Sequence, residues 1–330
     1  MKAAFITETG PPTNLIYDEI PSPEPLDDEL LVRVSAVAVN PIDTYIRSGM
    51  ISMPLPTPFI VGCDFAGTIE SIGTSVTRFR VGDHVWGSNQ GLLGRQGTFA
   101  EKIAIKEAFA YPLPSKTGPE EMASLALVAI TAHLGLVQRA NLLKGETLFV
   151  SGGAGGVGSM VIQIGKALGA KVIASAGSDE RVQICRELGA DFAINYNTDD
   201  LRSVITEHTE SGVHVFWETK RTPNFQETID LLAENGRMVV MAGRDASPPF
   251  PVGPFYVKGC SLHGFAMFKA TPEVQLQAAG DINQWVDSGQ LRANIGKRYK
   301  LSEAPAAHQL QEDNTLHSAG TLHGKIVLIP

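Results

Sequence analysis

The first 122 residues of the chain alternate short apolar runs with turn-forming residues. Apolar and polar positions alternate along "LLVRVSAVAV" (30–39), and segments such as "PSPEPLDDE" (21–29) and "VGDHVWG" (81–87) separate such runs. A period of two is typical of a strand with one buried face, and clusters of Pro, Gly and Asp mark turns. The pattern predicts a β domain with few helices.

Between residues 123 and 264, apolar runs alternate with segments of helical periodicity. The run "TLFV" (147–150) precedes Val157, Val161 and Ile164, which recur at helical spacing, and Gly169 is a stop signal. Four further runs follow, with helical stretches between them: "KVIASA" (171–176), "DFAINY" (191–196), "VHVFWE" (213–218) and "GRMVVMAG" (236–243). This alternation predicts an α/β domain, a parallel sheet with helices on both faces.

The last part of the chain, residues 265–330, breaks the alternation. It contains an amphipathic helix in "PEVQLQAAGDINQWVDSG" (272–289) and ends in the apolar segment "GKIVLIP" (324–330). We expect this final strand to return to the first domain. The predicted organisation is a discontinuous β domain, residues 1–122 and 265–330, with an inserted α/β domain at 123–264.

Composition narrows the classes of partner. The chain has 330 residues and a formal net charge of −8, which argues against nucleic acid or an anionic membrane as the main partner. Its longest uninterrupted apolar run, residues 125–130, is too short to span a bilayer, and the N-terminus has no signal-peptide core. The three cysteines are far apart and odd in number, which suits free thiols in a reducing compartment. We therefore expect a cytoplasmic protein.

The segment "VSGGAGGVGS" (150–159) has the context of a dinucleotide-binding motif. It follows a predicted strand, opens a predicted helix and lies within a βαβ unit. Glycines allow a tight turn and close backbone approach, and the helix N-terminus offers N–H groups and a positive dipole end to a pyrophosphate. The sequence predicts a dinucleotide cofactor at this loop.

The end of the second strand of this unit discriminates between NADH and NADPH. NAD sites usually carry an acidic residue there, which binds the ribose 2′-hydroxyl. The segment here is "ASAGSDER" (174–181), in which positions 175–178 carry no acid and Arg181 follows one helical turn later. An arginine can bind a 2′-phosphate through charge-assisted hydrogen bonds. Asp179 and Glu180 oppose this by adding negative charge, unless they serve the first turn of the helix. We predict NADPH.

Seven motifs along the chain resemble those of one family. They are "NPIDTYIRSG" (40–49), "VGCDFAG" (61–67), "VGDHVWG" (81–87), "RQGTFAE" (95–101), "ITAHLGL" (130–136), "GGAGGVGS" (152–159) and "GADFAINY" (189–196). Over its full length the chain resembles the zinc-independent, zeta-crystallin-like quinone oxidoreductases of the medium-chain dehydrogenase/reductase superfamily. The resemblance implies a GroES-like β domain and a Rossmann domain, with the active site in the cleft between them, and a homodimer. The predicted strand "CSLHGFAMF" (260–268) could pair edge to edge in such a dimer.

The resemblance also implies the residues of a cofactor site. Gly155, Gly156 and Val157 are expected at the pyrophosphate, and Gly177, Ser178, Arg181 and Tyr196 at the 2′-phosphate. Asn40, Tyr45 and Thr131 are expected near the nicotinamide. Gly243, after the fifth strand, is the last expected cofactor residue. Many members carry a Gly-containing turn after the fourth strand, but this chain has "WETKRTPN" (217–224) there. No role at that loop is carried over.

The sequence provides no convincing metal site. Where zinc-dependent relatives have cysteine and a "G-H-E" turn, this chain has "NPID" and "GCD", the latter with Cys63 and Asp64. No two histidines have a metal-ligand spacing, and three cysteines cannot form a four-cysteine site. We expect hydride transfer without a metal.

The expected catalytic residues lie in the "NPIDTY" segment. Hydride addition to a quinone produces a delocalised oxyanion, which hydrogen-bond donors can stabilise. Tyr45 is the first candidate donor, Asn40 the second, and Asp43 would orient its neighbours or cap a short helix.

Three functions fit the sequence. The first is NADPH-dependent reduction of quinones, and the second is NADPH-dependent reduction of the C=C bond of enones or enals, which also ends in a resonance-stabilised oxyanion. The third is a non-catalytic NADPH-binding role. The sequence hardly separates the first two.

Overall fold

The computed structural model describes residues 1–330, which divide into two compact units. The first unit comprises residues 1–127 and 270–330, and the second comprises residues 128–269. Both boundaries lie a few residues after those inferred from the sequence.

Sixteen strands and nine α-helices make up the two units. The strands are β1 (Lys2–Ile6), β2 (Ile16–Glu19), β3 (Glu29–Val39), β4 (Phe59–Ile60), β5 (Asp64–Ile72), β6 (His84–Gly87), β7 (Lys102–Lys106), β8 (Ala110–Pro112), β9 (Thr147–Val150), β10 (Lys171–Ala176), β11 (Phe192–Asn195), β12 (Val213–Glu218), β13 (Leu232–Val240), β14 (Ser261–Gly264), β15 (Ile295–Lys300) and β16 (Lys325–Ile329). The helices are α1 (Pro41–Arg47), α2 (Pro119–His133), α3 (Gly156–Ala167), α4 (Asp179–Glu187), α5 (Leu201–His208), α6 (Phe225–Leu231), α7 (Val252–Val257), α8 (Pro272–Asp287) and α9 (Ala304–Thr315).

The second unit is built on one six-stranded sheet. Its strand order is β11-β10-β9-β12-β13-β14, and every neighbouring pair is parallel. Phe149, Ile173, Phe216 and Met238 lie in its core, with helical side chains packed against them. Numbered within the unit, the order is 3-2-1-4-5-6, the Rossmann arrangement, whose ligands bind at the carboxyl ends of the strands. The predicted doubly wound parallel sheet is confirmed.

The first unit contains a three-stranded and a seven-stranded sheet. The larger has the order β15-β16-β3-β5-β6-β8, with β7 also paired to β3. The C-terminal strand β16 pairs antiparallel with β3, placing Ile326 opposite Val39. The predicted return of the chain to its first domain is confirmed, and β16 reaches the end of β3 where the "NPIDTY" segment begins.

Helix α3 shows why the second unit folds as its sequence pattern predicts. Val161 and Ile164 are fully buried, as their helical spacing requires. The helix begins after Gly155 and ends at Ala167, and Gly169 follows with a φ of +82°, a left-handed conformation that favours glycine after a helix end. The glycine loop is therefore fixed between β9 and a well-packed helix.

One helical segment differs from the sequence expectation. Residues 119–139 form a continuous helix, whose last six residues are a π-helix, long and apolar enough to cross a membrane by length and composition alone. Most of it is buried inside the protein, and a buried core helix passes the same test. The count of uninterrupted apolar residues missed it because polar residues such as Ser124 and Thr131 break the run.

Candidate functional site

The glycine loop connects β9 to α3 at the carboxyl edge of the parallel sheet. A Cβ at Gly158 would lie 2.2 Å from the Gly152 carbonyl oxygen, and one at Gly153 would lie 2.8 Å from the Cys185 sulfur. Both glycines are therefore required by the packing of the loop. The first N–H groups of α3, at Gly156 and Val157, have no acceptors within the helix, and a helix N-terminus of this kind is suited to an anion.

Four residues predicted at the 2′-phosphate come together where β10 and β11 end. A Cβ at Gly177 would lie 2.4 Å from the Tyr196 hydroxyl oxygen, so the tyrosine packs directly on the glycine. Ser178 caps α4, and its hydroxyl accepts a hydrogen bond from the Arg181 backbone N–H at 3.3 Å. Half of the Tyr196 surface is exposed. Gly177, Ser178, Arg181 and Tyr196 thus form one corner of the second unit, which we call the adenosine corner.

One of the two acidic residues that weaken the case for NADPH, Asp179, is engaged within this corner. Asn195 Nδ2 donates a hydrogen bond to Asp179 Oδ1 at 2.8 Å. Asp179 also opens α4, where an acidic side chain interacts favourably with the helix dipole. Its carboxylate therefore has a structural role, as the sequence left open.

The loop after β12 is tied to the glycine loop. Thr219 Oγ1 donates a hydrogen bond to the Ser151 carbonyl oxygen at 2.7 Å, and the Ser151 N–H donates to the Trp217 carbonyl oxygen at 2.9 Å. Sequence reasoning missed Thr219, although its place after a parallel strand was a signal. Two other predicted cofactor residues lie in this unit: Thr131 is buried in α2, and Gly243 has a φ of +77° and packs against the Arg221 carbonyl oxygen.

In the first unit, Asn40 and Asp43 form the start of α1. The Asn40 N–H donates a hydrogen bond to Asp43 Oδ2 at 2.8 Å, while the Asp43 N–H donates to the Asn40 carbonyl oxygen at 3.0 Å. Asn40 is thus the N-cap of the helix and Asp43 its third residue, so Asp43 stabilises the start of the helix without being the N-cap that the sequence suggested. Both residues are buried, whereas Tyr45, two positions further on, is partly exposed. Of the three predicted catalytic residues, only Tyr45 reaches the surface of its unit.

The Asn40 side chain joins a buried polar cluster. Its Nδ2 donates to Asp64 Oδ2 at 2.8 Å, and its Oδ1 accepts from Lys325 Nζ at 2.5 Å. Lys325 Nζ also donates to the Val39 carbonyl oxygen at 2.7 Å, and Ser88 Oγ donates to Asp64 Oδ1 at 2.6 Å. The sequence singled out neither Lys325 nor Ser88. The only signal for Lys325 was a single charge within the apolar segment "GKIVLIP".

Burial governs the charges of this cluster. It raises the pKa of Asp43 to about 7, even though Cys63 and the Asn40 N–H bond to that carboxylate. It also raises the pKa of Asp64 and lowers that of Lys325, while the attraction between these two charges opposes both shifts. Burial and the nearby carboxylates raise the pKa of the Cys63 thiol well above its ordinary value. The cluster thus brings one lysine, two carboxyl groups and one thiol together away from water.

Comparison with known proteins identifies the family. The family model "Alcohol dehydrogenase GroES-like domain" matches residues 26–115, and "Zinc-binding dehydrogenase" matches residues 156–280. The quinone oxidoreductase of Sus scrofa is 32% identical over 323 residues, covering 97% of this chain and 94% of the relative. The chain belongs to the quinone oxidoreductase family of the medium-chain dehydrogenase/reductase superfamily.

Solved structures agree with this assignment. A structure described as an NAD-dependent alcohol dehydrogenase has a TM-score of 0.89 at 28% identity, with full coverage of both chains. The Escherichia coli quinone oxidoreductase complexed with NADPH has a TM-score of 0.85 at 26% identity, again with full coverage of both chains. The GroES-like and Rossmann folds are confirmed. The chain is an oxidoreductase of this family.

The zinc named by one of the matching families does not fit the residues present. No group of three or more His, Cys, Asp and Glu side chains is placed to hold a metal ion. Asp43, Cys63 and Asp64 interact electrostatically with the buried ammonium of Lys325, and burial raises the pKa of the Cys63 thiol well above its ordinary value. Zinc binding requires a thiolate and converging ligands. No step of the reaction is therefore assigned to a metal.

Proposed function

We propose that this protein is an NADPH-dependent quinone oxidoreductase that transfers hydride from the nicotinamide to the quinone without a metal. The observation that carries the cofactor choice is the adenosine corner. It has glycine and serine where an NAD site has an acid. Tyr196 packs on Gly177, and Arg181 lies on the first turn of α4. The NADPH complex of the Escherichia coli relative supports the same choice.

The residues that would hold the cofactor are in the second unit. The N-terminus of α3, with Gly155, Gly156 and Val157, would hold the pyrophosphate. The adenosine corner would hold the adenosine ribose and its phosphate, with Arg181 supplying the positive charge. When bound, the nicotinamide supplies a hydride from its C4 atom.

The chemical demand on the protein beyond the cofactor is small. A quinone takes up a hydride and one proton to become a hydroquinone, and the intermediate anion is delocalised over the ring. Tyr45 is the proposed donor to that anion, because a phenol can donate one hydrogen bond and Tyr45 alone of the three candidates is partly exposed. Asn40 and Asp43 act indirectly in this proposal, since both are buried at the start of the helix that carries Tyr45.

A cofactor and acceptor panel tests the proposal. Purified protein is assayed for oxidation of NADPH and of NADH with benzoquinones, naphthoquinones, enones and enals. We expect turnover with NADPH and quinones, and a preference for NADPH over NADH in kcat/KM. Turnover with enones alone would assign the C=C reductase function instead. Tight NADPH binding without turnover of any acceptor would assign the non-catalytic role.

Two further properties stay predictions. We propose a homodimer formed through β14, an edge strand on which Leu262 is exposed, next to α7 with exposed Val252, Tyr256 and Val257. Light scattering coupled to gel filtration would measure it, and a monomer at micromolar concentration would refute it. The predicted cytoplasmic location can be checked by cell fractionation.

A further inference from the structure

Lys325 is the least expected residue of the buried cluster. Lysine is almost never fully buried unless it is paired, and here only a small part of the residue is exposed. Its ammonium group makes two short hydrogen bonds, both to acceptors at the turn that joins β3 to α1. The next residue, Ile326, pairs with Val39 in the sheet. Lys325 thus reaches from the C-terminal strand to the turn that begins α1.

The chemistry of the partners fixes the orientation of the Asn40 amide. An ammonium can only donate hydrogen bonds, and an ionised carboxylate can only accept them. The amide of Asn40 must therefore present its oxygen to Lys325 and its NH2 group to Asp64, and the observed contacts of 2.5 Å and 2.8 Å have this arrangement. Neither the reversed amide nor an apolar residue at position 325 could satisfy all of these groups.

This arrangement also accounts for the lack of a zinc site in a chain that matches the "Zinc-binding dehydrogenase" family. The ammonium of Lys325 interacts electrostatically with Asp43, Cys63 and Asp64. A cation belonging to the protein itself is thus already present among these groups, and no separate ion is needed to balance the buried carboxylates.

We propose that Lys325 is a positioning residue for the reaction: its ammonium acts as an internal cation that fixes the β3–α1 turn, and with it the helix that carries Tyr45. This inference rests on the proposed function, because Tyr45 acts there as the donor to the reduced substrate. Lys325 contacts neither substrate nor cofactor in this role.

The test compares three variants with the wild type. Lys325→Met keeps the length of the side chain but removes its charge and its donors. The double variant Lys325→Met/Asp64→Asn removes one charge of each sign, and the amide oxygen introduced at position 64 can still accept from Asn40. Lys297→Met makes the same substitution at an exposed position of the neighbouring strand β15, which serves as the matched control.

Each variant is measured for kcat with a quinone, for NADPH affinity and for its melting temperature. For Lys325→Met we expect kcat to fall between about 10-fold and about 100-fold, since small misplacements of reacting groups cost this much. NADPH affinity should stay within about 2-fold of the wild-type value, and the melting temperature should fall by several degrees. In the double variant the melting temperature should largely recover, because the buried charges are balanced again, whereas kcat should stay low, because no donor holds the turn.

Two results would overturn the proposal. An unchanged kcat in Lys325→Met would show that the turn does not depend on the ammonium. Recovery of both kcat and melting temperature in the double variant would show that Lys325 only balances charge. If Lys325→Met does not fold, the double variant alone decides, with low kcat supporting the proposal and wild-type kcat refuting it.

A measurement without turnover separates this proposal from the proposed function. Should the wild type reduce no quinone or enone, the side-chain amide of Asn40 can be followed by NMR in protein labelled with 15N at asparagine. We expect one slowly exchanging pair of amide signals in the wild type and in Lys297→Met, assigned by its loss in Asn40→Ser. In the charge-balanced double variant this pair should exchange rapidly. An unaltered pair there would refute the positioning role, whatever the enzyme's substrate.

Discussion

His308 should make the folded protein sensitive to acid. It lies on α9, is fully buried, and neither of its ring nitrogens has a hydrogen-bond partner. The edge of its ring meets Phe99 with 5.7 Å between ring centroids, and Arg47 is close enough to repel a positive charge. Burial first and Arg47 second lower the pKa of His308 from 6.5 to about 3. The imidazole is therefore neutral in the folded protein.

The sign of the effect follows from the order of the two pKa values. As the pH falls below 6.5 the unfolded chain binds a proton at this histidine, whereas the folded protein does not bind one until about pH 3. Stability is therefore lost on acidification, by up to ~1.4 kcal/mol per pH unit. Between about pH 7.5 and about pH 5 the loss amounts to ~2 kcal/mol.

Asp43 works in the opposite direction. Its pKa is raised to about 7 in the folded state, so its carboxyl group takes up a proton more readily there than in the unfolded chain. Its contribution to stability thus grows as the pH falls from about 7 towards about 4. The free energy of unfolding of the wild type alone would combine the contributions of His308 and Asp43. The difference in that free energy between the wild type and a His308 variant isolates His308, because both proteins retain Asp43.

The assay is urea unfolding of the wild type and of His308→Leu between about pH 5 and about pH 7.5. Tryptophan emission is a suitable signal, because Trp86 and Trp285 lie in the same unit as His308. We expect the stability of His308→Leu relative to the wild type to rise by ~2 kcal/mol across this range as the pH is lowered. His317→Gln, at an exposed position, should show no such change. A pH-independent difference for His308→Leu would refute the reasoning.

Three further predictions concern the cofactor and the reaction. Tyr45→Phe should lower kcat and kcat/KM together by on the order of 10-fold, less than in a demanding oxyanion site, with NADPH affinity unchanged; full turnover across quinones and enones would show that Tyr45 only packs. Arg181→Ala should weaken NADPH binding by about 1.5–3 kcal/mol, the range for hydrogen bonds to charged groups, and leave NADH binding unchanged. The control Arg186→Ala, on the same helix, should change the binding of neither cofactor. Equal losses for both cofactors in Arg181→Ala would contradict a 2′-phosphate contact. Exhaustive chelation should leave activity intact, and stoichiometric zinc whose removal abolishes turnover would overturn the metal-free reaction.

The architecture was largely readable from the sequence. The alternation of apolar runs and helical periods in the second unit depends on local spacing, and it led to the six-stranded parallel sheet. The return of "GKIVLIP" to the first domain was also inferred, because that segment follows a helix and no longer alternates. Both inferences use only period and order along the chain, which local sequence encodes well.

The buried cluster was not readable in this way. Lys325 and Asn40 are 285 residues apart in the chain, and nothing near either residue indicates the other. An isolated lysine at the start of an apolar strand is usually a solvated end. Asn40 and Asp43 were recognised as candidates, but their burial could not be inferred. Asn40 was therefore expected as a donor to the substrate, whereas the structure places its amide in the buried cluster.

The glycine motif of the second unit does not contain the residues that would distinguish NADPH from NADH. Gly153 and Gly158 are required because a Cβ at either would collide with the protein itself, at Cys185 or at the Gly152 carbonyl oxygen. These glycines would be needed whichever dinucleotide was bound, so the motif identifies the loop and the helix N-terminus but carries no choice between cofactors. In the proposed function that choice would depend on residues beyond the next strand, where a Cβ at Gly177 would collide with the Tyr196 hydroxyl. A substitution there would disturb a side chain at the proposed ribose site rather than the loop. In the proposed function the glycine loop would therefore bind the dinucleotide, and the adenosine corner would select NADPH over NADH.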